Sequence, residues 1–202
     1  LNSGAATMPH HLHSLCGILI LAVVTPATSP SLAAHRVTAH ADKSAEVATR
    51  GQREAKDVTY GDWQKICFKA GGAPKLCRTS ITGTFPTGQT AMRVDLIERE
   101  DSPTARLQLF MPVGMYLQQP PKVMIDKGSA RRFPYNWCAT NTCIAADVAD
   151  PAMVKEMESG KTLTLEVVDA NLLALTTSIP LTNFASVHKG APVKTLEQYV
   201  DE

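Results

Sequence analysis

The stretch Thr90-Ala91-Met92-Arg93-Val94-Asp95-Leu96-Ile97-Glu98 alternates Met92, Val94 and Leu96 with Arg93, Asp95 and Ile97. A period of two puts the first set on one side of a pleated strand and the second on the other, the pattern of a half-buried strand. Ala105 to Met111 repeats it, with Leu107 and Leu109 set against Arg106, Gln108 and Phe110. Working outward, the composition predicts further strands at Asp62 to Cys67, Leu76 to Thr82, Gly114 to Leu117, Val123 to Asp126, Arg131 to Tyr135, Thr162 to Val168 and Leu172 to Ile179. Turn residues punctuate them at Gly71-Gly72-Ala73-Pro74, Pro86-Thr87-Gly88, Pro120-Pro121, Lys127-Gly128-Ser129 and Asp169-Ala170-Asn171. One helix is expected from Pro151 to Ser159: Asp150 suits the N-cap, Pro151 the first helical position and Gly160 the stop. Many short strands with one short α-helix predict an all-β fold, a mainly antiparallel β-sandwich or barrel-like domain over residues 59–190.

The flanks differ from that domain. Residues 34–58 are polar and small, without an aromatic residue or a sustained apolar period, and read as a flexible lead-in; residues 191–202 read as a polar tail. Before them, an apolar run from Leu15 to Val24 is too short to span a bilayer as a helix and is followed by Ser31-Leu32-Ala33-Ala34. Ser31 and Ala33 are the small side chains that a signal peptidase needs for a cut after Ala33, so residues 1–33 are expected to be an export signal, with Met8 as a candidate true start. Its n-region carries His10, His11 and His13 but no Lys or Arg; an uncleaved anchor is the alternative. Cys16 stands at the start of the apolar run, whereas a lipidated cysteine would stand at its end, so it is expected to leave with the signal.

Cys67, Cys77, Cys138 and Cys143 remain, an even number in an exported chain, which is the arithmetic of disulfides. Four cysteines allow three pairings; proximity favours Cys67 with Cys77 and Cys138 with Cys143. Each would contribute about 2–3 kcal/mol by the chain-entropy model. Zinc is the rival, yet the spacing of Cys67 and Cys77 exceeds the usual knuckle, and neither pair has the two-residue spacing of a thioredoxin-type site.

The order of Gly61-Asp62-Trp63, Cys67, Cys77-Arg78, Leu109-Phe110-Met111-Pro112-Val113-Gly114, Phe133-Pro134-Tyr135, Cys138 and Cys143-Ile144-Ala145 resembles the invasion-associated locus B family of bacterial envelope proteins. Ile179-Pro180-Leu181 and Phe184 fit its C-terminal pattern, and the resemblance runs from about Tyr60 to Val187. Thr142 and Asn183 stand where the family usually has glycine. The resemblance implies an exported, β-rich, mostly alphaproteobacterial protein, named for host-cell invasion by one pathogenic genus although members also occur in free-living bacteria. It brings no catalytic residue and no cofactor.

The residues themselves also point away from catalysis. His188 is the only histidine of the predicted domain and lies at its C-terminal edge, so a Ser-His-Asp or Cys-His arrangement would need distant partners. The carboxylates Glu98, Glu100 and Asp101, or Asp147 and Asp150, sit in turn-like charged contexts that read as solvated surface, and no phosphate-binding glycine loop follows a strand. Lys plus Arg number 20 against 19 Asp plus Glu, which excludes the concentrated basic face of a nucleic-acid binder. No second apolar span exists, so membrane association after processing would be peripheral.

Recognition centres on Arg131-Arg132-Phe133-Pro134-Tyr135-Asn136-Trp137, where two guanidinium groups meet three aromatic rings. Arg131, Arg132, Tyr135 and Trp137 are the candidate interaction residues. The competing reading is that Phe133, Tyr135 and Trp137, at strand spacing, pack in the core beside a disulfide, as Trp63 is expected to do. The sequence therefore predicts a non-catalytic interaction protein, periplasmic, outer-membrane-associated or secreted, whose partner is an envelope or host protein or a glycan. A thiol or other envelope enzyme, and a small-ligand binder with a pocket between its sheets, are the alternatives.

Overall fold

The computed structural model describes residues 46–198, so the expected export signal, Met8, Cys16 and the first part of the lead-in lie outside the described residues. In chain order the elements are β1 (Gly51–Glu54), β2 (Thr59–Tyr60), β3 (Gln64–Ala70), β4 (Leu76–Thr84), β5 (Thr90–Arg99), β6 (Ala105–Met111) and β7 (Lys122–Ile125). There follow β8 (Arg131–Arg132), β9 (Tyr135–Cys138), β10 (Cys143–Ala149), α1 (Pro151–Ser159), β11 (Thr162–Val168), β12 (Leu173–Pro180), α2 (Phe184–Lys189) and β13 (Lys194–Gln198). They make a five-stranded sheet in the order β1-β12-β11-β7-β8 and an eight-stranded sheet in the order β13-β3-β4-β5-β6-β10-β9, with β2 paired to β4.

The alternation in β5 decides the core. Val94 and Leu96 are fully buried, as are Leu107 and Leu109 of β6, and they share one cluster with Leu163 and Leu165 of β11, Val123 of β7 and Ile179 of β12. Two amphipathic sheets have closed on each other with their apolar faces inward, which is the sandwich that the period of two requires. Trp63 lies in the same core, its Nε1 donating to the Pro180 carbonyl at 2.8 Å and its ring edge-on to Phe184 at 4.8 Å.

The α1 helix begins as its sequence dictates, with the Asp150 carboxylate accepting from the Met153 amide at 2.7 Å and Pro151 in the first turn. Its stop has a different cause from the expected one. Gly160 is extended, at φ −77°, and its amide donates to the Glu156 carbonyl. A Cβ there would lie 2.7 Å from Ile125 Cγ2 and 2.8 Å from the Glu156 carbonyl oxygen, so glycine is required by close approach and not by a left-handed backbone.

Five expectations are corrected. A second helix, α2, follows Asn183; the segment is too short to show a period, and the Asn183 side chain makes no capping bond, so the usual start signal is missing. Part of the lead-in is not free of structure, since β1 pairs in parallel with β12, and part of the tail forms β13, parallel to β3. Both are edge strands held by main-chain bonds, and all four β1 residues are exposed, so polar side chains hide them from a hydrophobicity reading. Gly114 to Leu117 is not a strand: Gly114 is left-handed at φ +91° and only Met115 bridges, to Asp169. The predicted strand from Arg131 to Tyr135 is broken in two at Phe133-Pro134, between the two sheets.

Candidate functional site

That break distributes the candidate recognition segment over both sheets. On β8, at the edge of the smaller sheet, Arg131 forms a two-pronged ion pair with Glu156 of α1, Nη1 and Nη2 donating at 2.7 and 2.9 Å, and Arg132 Nη2 donates to Glu46 at 3.1 Å. Lys122 also pairs with Glu46, so both candidate arginines are engaged within the chain. Phe133 is buried in the core. Tyr135 then joins β9 opposite Ala145 on the inner side of the larger sheet, where its hydroxyl has no hydrogen-bond partner among the described residues and burial pushes the phenol up to about 12.

Trp137 faces the other way. It pairs with Ile144, one residue from Ala145, because Asn136 is the extra residue of a β-bulge between the two pairs. The bulge reverses the parity, so Tyr135 points in and Trp137, 55 % exposed, points out. The sequence alternatives of core packing and exposure are thus both realised, by different rings.

The outward face that Trp137 joins is read from the register. One row runs Thr82, Arg93, Phe110, Ile144, Trp137 across β4, β5, β6, β10 and β9. The next runs Gln64, Ser80, Asp95, Gln108, Ala146, and the third Ile66, Arg78, Ile97, Arg106, Val148. A fourth, Leu196, Phe68, Leu76, Arg99, reaches the β13 edge. The outer face of an antiparallel sandwich is ordinarily polar. This one carries aromatic and branched aliphatic side chains, among them the exposed Trp137, Val148 and Leu196, interleaved with arginines.

At its centre Asp95 is only 1 % exposed although it points away from the core. Arg93 Nε lies 3.0 Å and Arg78 Nε 4.0 Å from its carboxylate. Burial raises the Asp95 carboxyl above the ordinary range, while the charges of Arg93 and Arg78 pull it back down. The Arg93 guanidinium lies over the Phe110 ring at 3.9 Å and that of Arg78 over Phe68 at 5.8 Å. Each arginine is therefore held from two sides, by a carboxylate and by a ring, with about a third of its side chain still open to water. Sequence reasoning set Arg93, Asp95, Ile97 and Phe110 on the side of their strands opposite Val94, Leu96, Leu107 and Leu109 but did not single them out; the signal was present in Ile97 and Phe110, apolar residues at positions that a solvated face leaves polar.

The cysteines close two disulfides, Cys67–Cys77 and Cys138–Cys143, each with a Cα–Cα distance of 4.0 Å. Each joins directly opposed residues of neighbouring antiparallel strands, β3 with β4 and β9 with β10. The second disulfide fixes the hairpin that carries Trp137. His188 on α2 has both ring nitrogens engaged, Nε2 with Glu98 and Nδ1 with Glu158, each at 2.9 Å, and its ring stacks on Phe184. The Glu98 bond is the main cause that raises the His188 pKa above its usual value. Among the described residues no group of three or more His, Cys, Asp or Glu is placed to hold a metal ion.

These features define a disulfide-stapled β-sandwich with an arginine-aromatic outer face. The chain belongs to the invasion associated locus B (IalB) family, whose model matches residues 63–192. Its fold is similar to that of the crystal structure of invasion associated protein B from Bartonella henselae, with a TM-score of 0.57 and 22% identity over 64% of this chain and 90% of that one. A comparison with curated proteins returns no match. No described helix is long and apolar enough to cross a membrane.

Proposed function

We infer that this is an exported, non-catalytic interaction protein of the envelope or of the secreted fraction, which binds an envelope or host component, protein or glycan, in support of envelope function or host-cell association. The observation that carries the reading is the outward face of the larger sheet, where Arg78 and Arg93 are preorganised by Asp95 and two phenyl rings among exposed apolar side chains. Arginine and aromatic residues are the types that concentrate binding energy, and an arginine already held in place loses little conformational entropy on binding. Six strand spacings of about 4.8 Å by three two-residue steps of about 6.8 Å give a face of roughly 29 by 20 Å. That approaches the ~800 Å² per partner of a standard interface. Arg78, Arg93 and Arg106 against the one Asp95 leave the centre of the face positive, which suits a partner with acidic groups set between apolar ones.

Two disulfides fit an oxidising compartment, and a histidine clamped by two carboxylates fits a structural role better than acid-base work. The test is saturable binding of the labelled domain to isolated envelope membranes and to host cells. The double variant Trp137→Ala/Arg106→Glu is expected to lose at least tenfold in affinity, and Arg132→Glu, away from the face, to bind as wild type. Equal binding by all three proteins, or no saturable binding by wild type to either preparation, defeats the reading.

A further inference from the structure

A second site lies at one end of the sandwich, between the sheets. A cavity of about 110 Å³ has a floor of buried Ala91, Met92, Met111, Leu165 and Thr177. Its half-buried rim includes Val58, Phe85 and Met115, from the β1–β2 connection, the β4–β5 hairpin and the loop after β6. The hairpin fixes Phe85 at the mouth, since the Phe85 amide donates to the Gln89 carbonyl at 2.9 Å and the Gly88 amide to the Phe85 carbonyl at 2.8 Å.

The polar atoms at the floor are already spent on each other. The Tyr60 hydroxyl donates to Met92 Sδ at 3.0 Å and lies 2.6 Å from Thr177 Oγ1, which leaves Thr177 as the donor to the tyrosine oxygen. Neither hydroxyl hydrogen remains to donate to a water molecule, which would find only oxygen lone pairs there, too few partners to hold it, and a floor of this kind favours hydrocarbon. On the scale by which a cavity of about 150 Å³ holds benzene, this floor has room for roughly four carbons. The flexible thioethers of Met92, Met111 and Met115 adapt to such a guest.

A wider cleft of about 500 Å³ adjoins it and shares Phe85, Ala91, Met92, Met111 and Pro112 with it. Its remaining lining is of another kind: Gln89, Thr90 and Asn141 supply uncharged donors and acceptors, Thr142 an acceptor whose hydrogen already goes to the Met111 carbonyl at 3.0 Å, and Phe110 a ring. We propose that this end of the sandwich binds a single-chain amphiphile, its alkyl end in the apolar cavity and its uncharged, hydroxyl-bearing head in the adjoining cleft. A tail alone would leave the amides and hydroxyls of the cleft unused, and a free sugar would leave the dry floor empty. The cavity lies between the sheets, and only the cleft meets the outward face proposed for a macromolecular partner, at Phe110.

Alkyl glucosides below their micelle concentrations serve as the probe, followed through the ε-methyl resonances of Met92, Met111 and Met115 in the full folded domain. Saturable shifts are expected, with the dissociation constant tightening about fourfold (0.8 kcal/mol) per methylene that enters the cavity from methyl through ethyl and propyl to butyl glucoside, then levelling for hexyl and octyl once the cavity is full. Ala91→Leu, which fills the floor, is expected to weaken octyl glucoside at least tenfold; Val58→Phe, which narrows the mouth outside the sheets, gives the same readout should the first variant fold poorly. Asn141→Ala is expected to weaken octyl glucoside but not octanol. Absence of saturable methyl shifts, unchanged binding in both filled variants, or equal affinity for octanol and octyl glucoside each overturns the proposal.

Discussion

Arg93→Met is the sharpest perturbation of the outward face. It removes the nearer of the two charges that compensate Asp95, at 3.0 Å, and leaves Arg78 at 4.0 Å beside a carboxylate that is 1 % exposed. Removing one partner of a buried ion pair costs about 3–5 kcal/mol. Arg78 remains, and both guanidinium groups are partly in water, so a value near the bottom of that range, about 3 kcal/mol at neutral pH, is expected; it includes the cation-π contact with Phe110. The sign of the pH dependence follows from the raised Asp95 pKa. Stability linked to a raised carboxyl is fully present below its unfolded value, about 3.9, and is lost as pH rises through the folded one. Arg93→Met lifts the folded value further, so its deficit should be small near pH 4 and grow toward neutrality. Urea unfolding with the disulfides intact, at a series of pH values and with unchanged m, measures this. Arg93→Met/Asp95→Asn should recover much of the loss at pH 7, because the stranded charge is gone. A penalty equal at pH 4 and pH 7, or a double variant as unstable as Arg93→Met, would refute the account of Asp95 as a buried charge held by arginines.

Two further perturbations test the frame around that face. His188 is held by Glu98 and Glu158 with a raised pKa, while Lys189 pairs with Glu158 at 2.8 Å, so its contribution is full below the unfolded value near 6.5 and is lost as pH rises through the folded one. His188→Gln should cost about 1–2 kcal/mol at pH 6 and less at pH 9, read by thermal unfolding at both; a pH-independent cost would contradict the clamp. Gly160→Ala brings a Cβ to 2.7 Å from Ile125 Cγ2 and should cost about 1–3 kcal/mol in urea, whereas a neutral outcome would show that α1 can shift away from β7.

The strands of the core were legible because burial writes a period of two into them: β5, β6 and β11 lie where Met92 to Leu96, Leu107 to Leu109 and Leu163 to Leu165 alternate with their neighbours. The cysteine pairing was legible by proximity, and α1 by its cap. The edge strands β1 and β13 were not, because main-chain hydrogen bonds hold them whatever their side chains are. The candidate recognition segment was legible only in composition. Its rings and guanidinium groups stand together in the chain, yet Arg131 and Arg132 are drawn into ion pairs with Glu156 and Glu46, Phe133 and Tyr135 turn toward the core, and Trp137 alone joins the outward face.

By itself the sequence determined the two-faced strands, the capped helix, the paired cysteines and the family pattern, because each is set by spacing along the chain. Only the tertiary structure decided which outward residues meet. The row of Arg93, Phe110, Ile144 and Trp137 depends on the register of four strands, and its last member on a bulge at Asn136 that reverses a single parity. Such a reversal comes from how non-local strands pair, and a local period does not encode it.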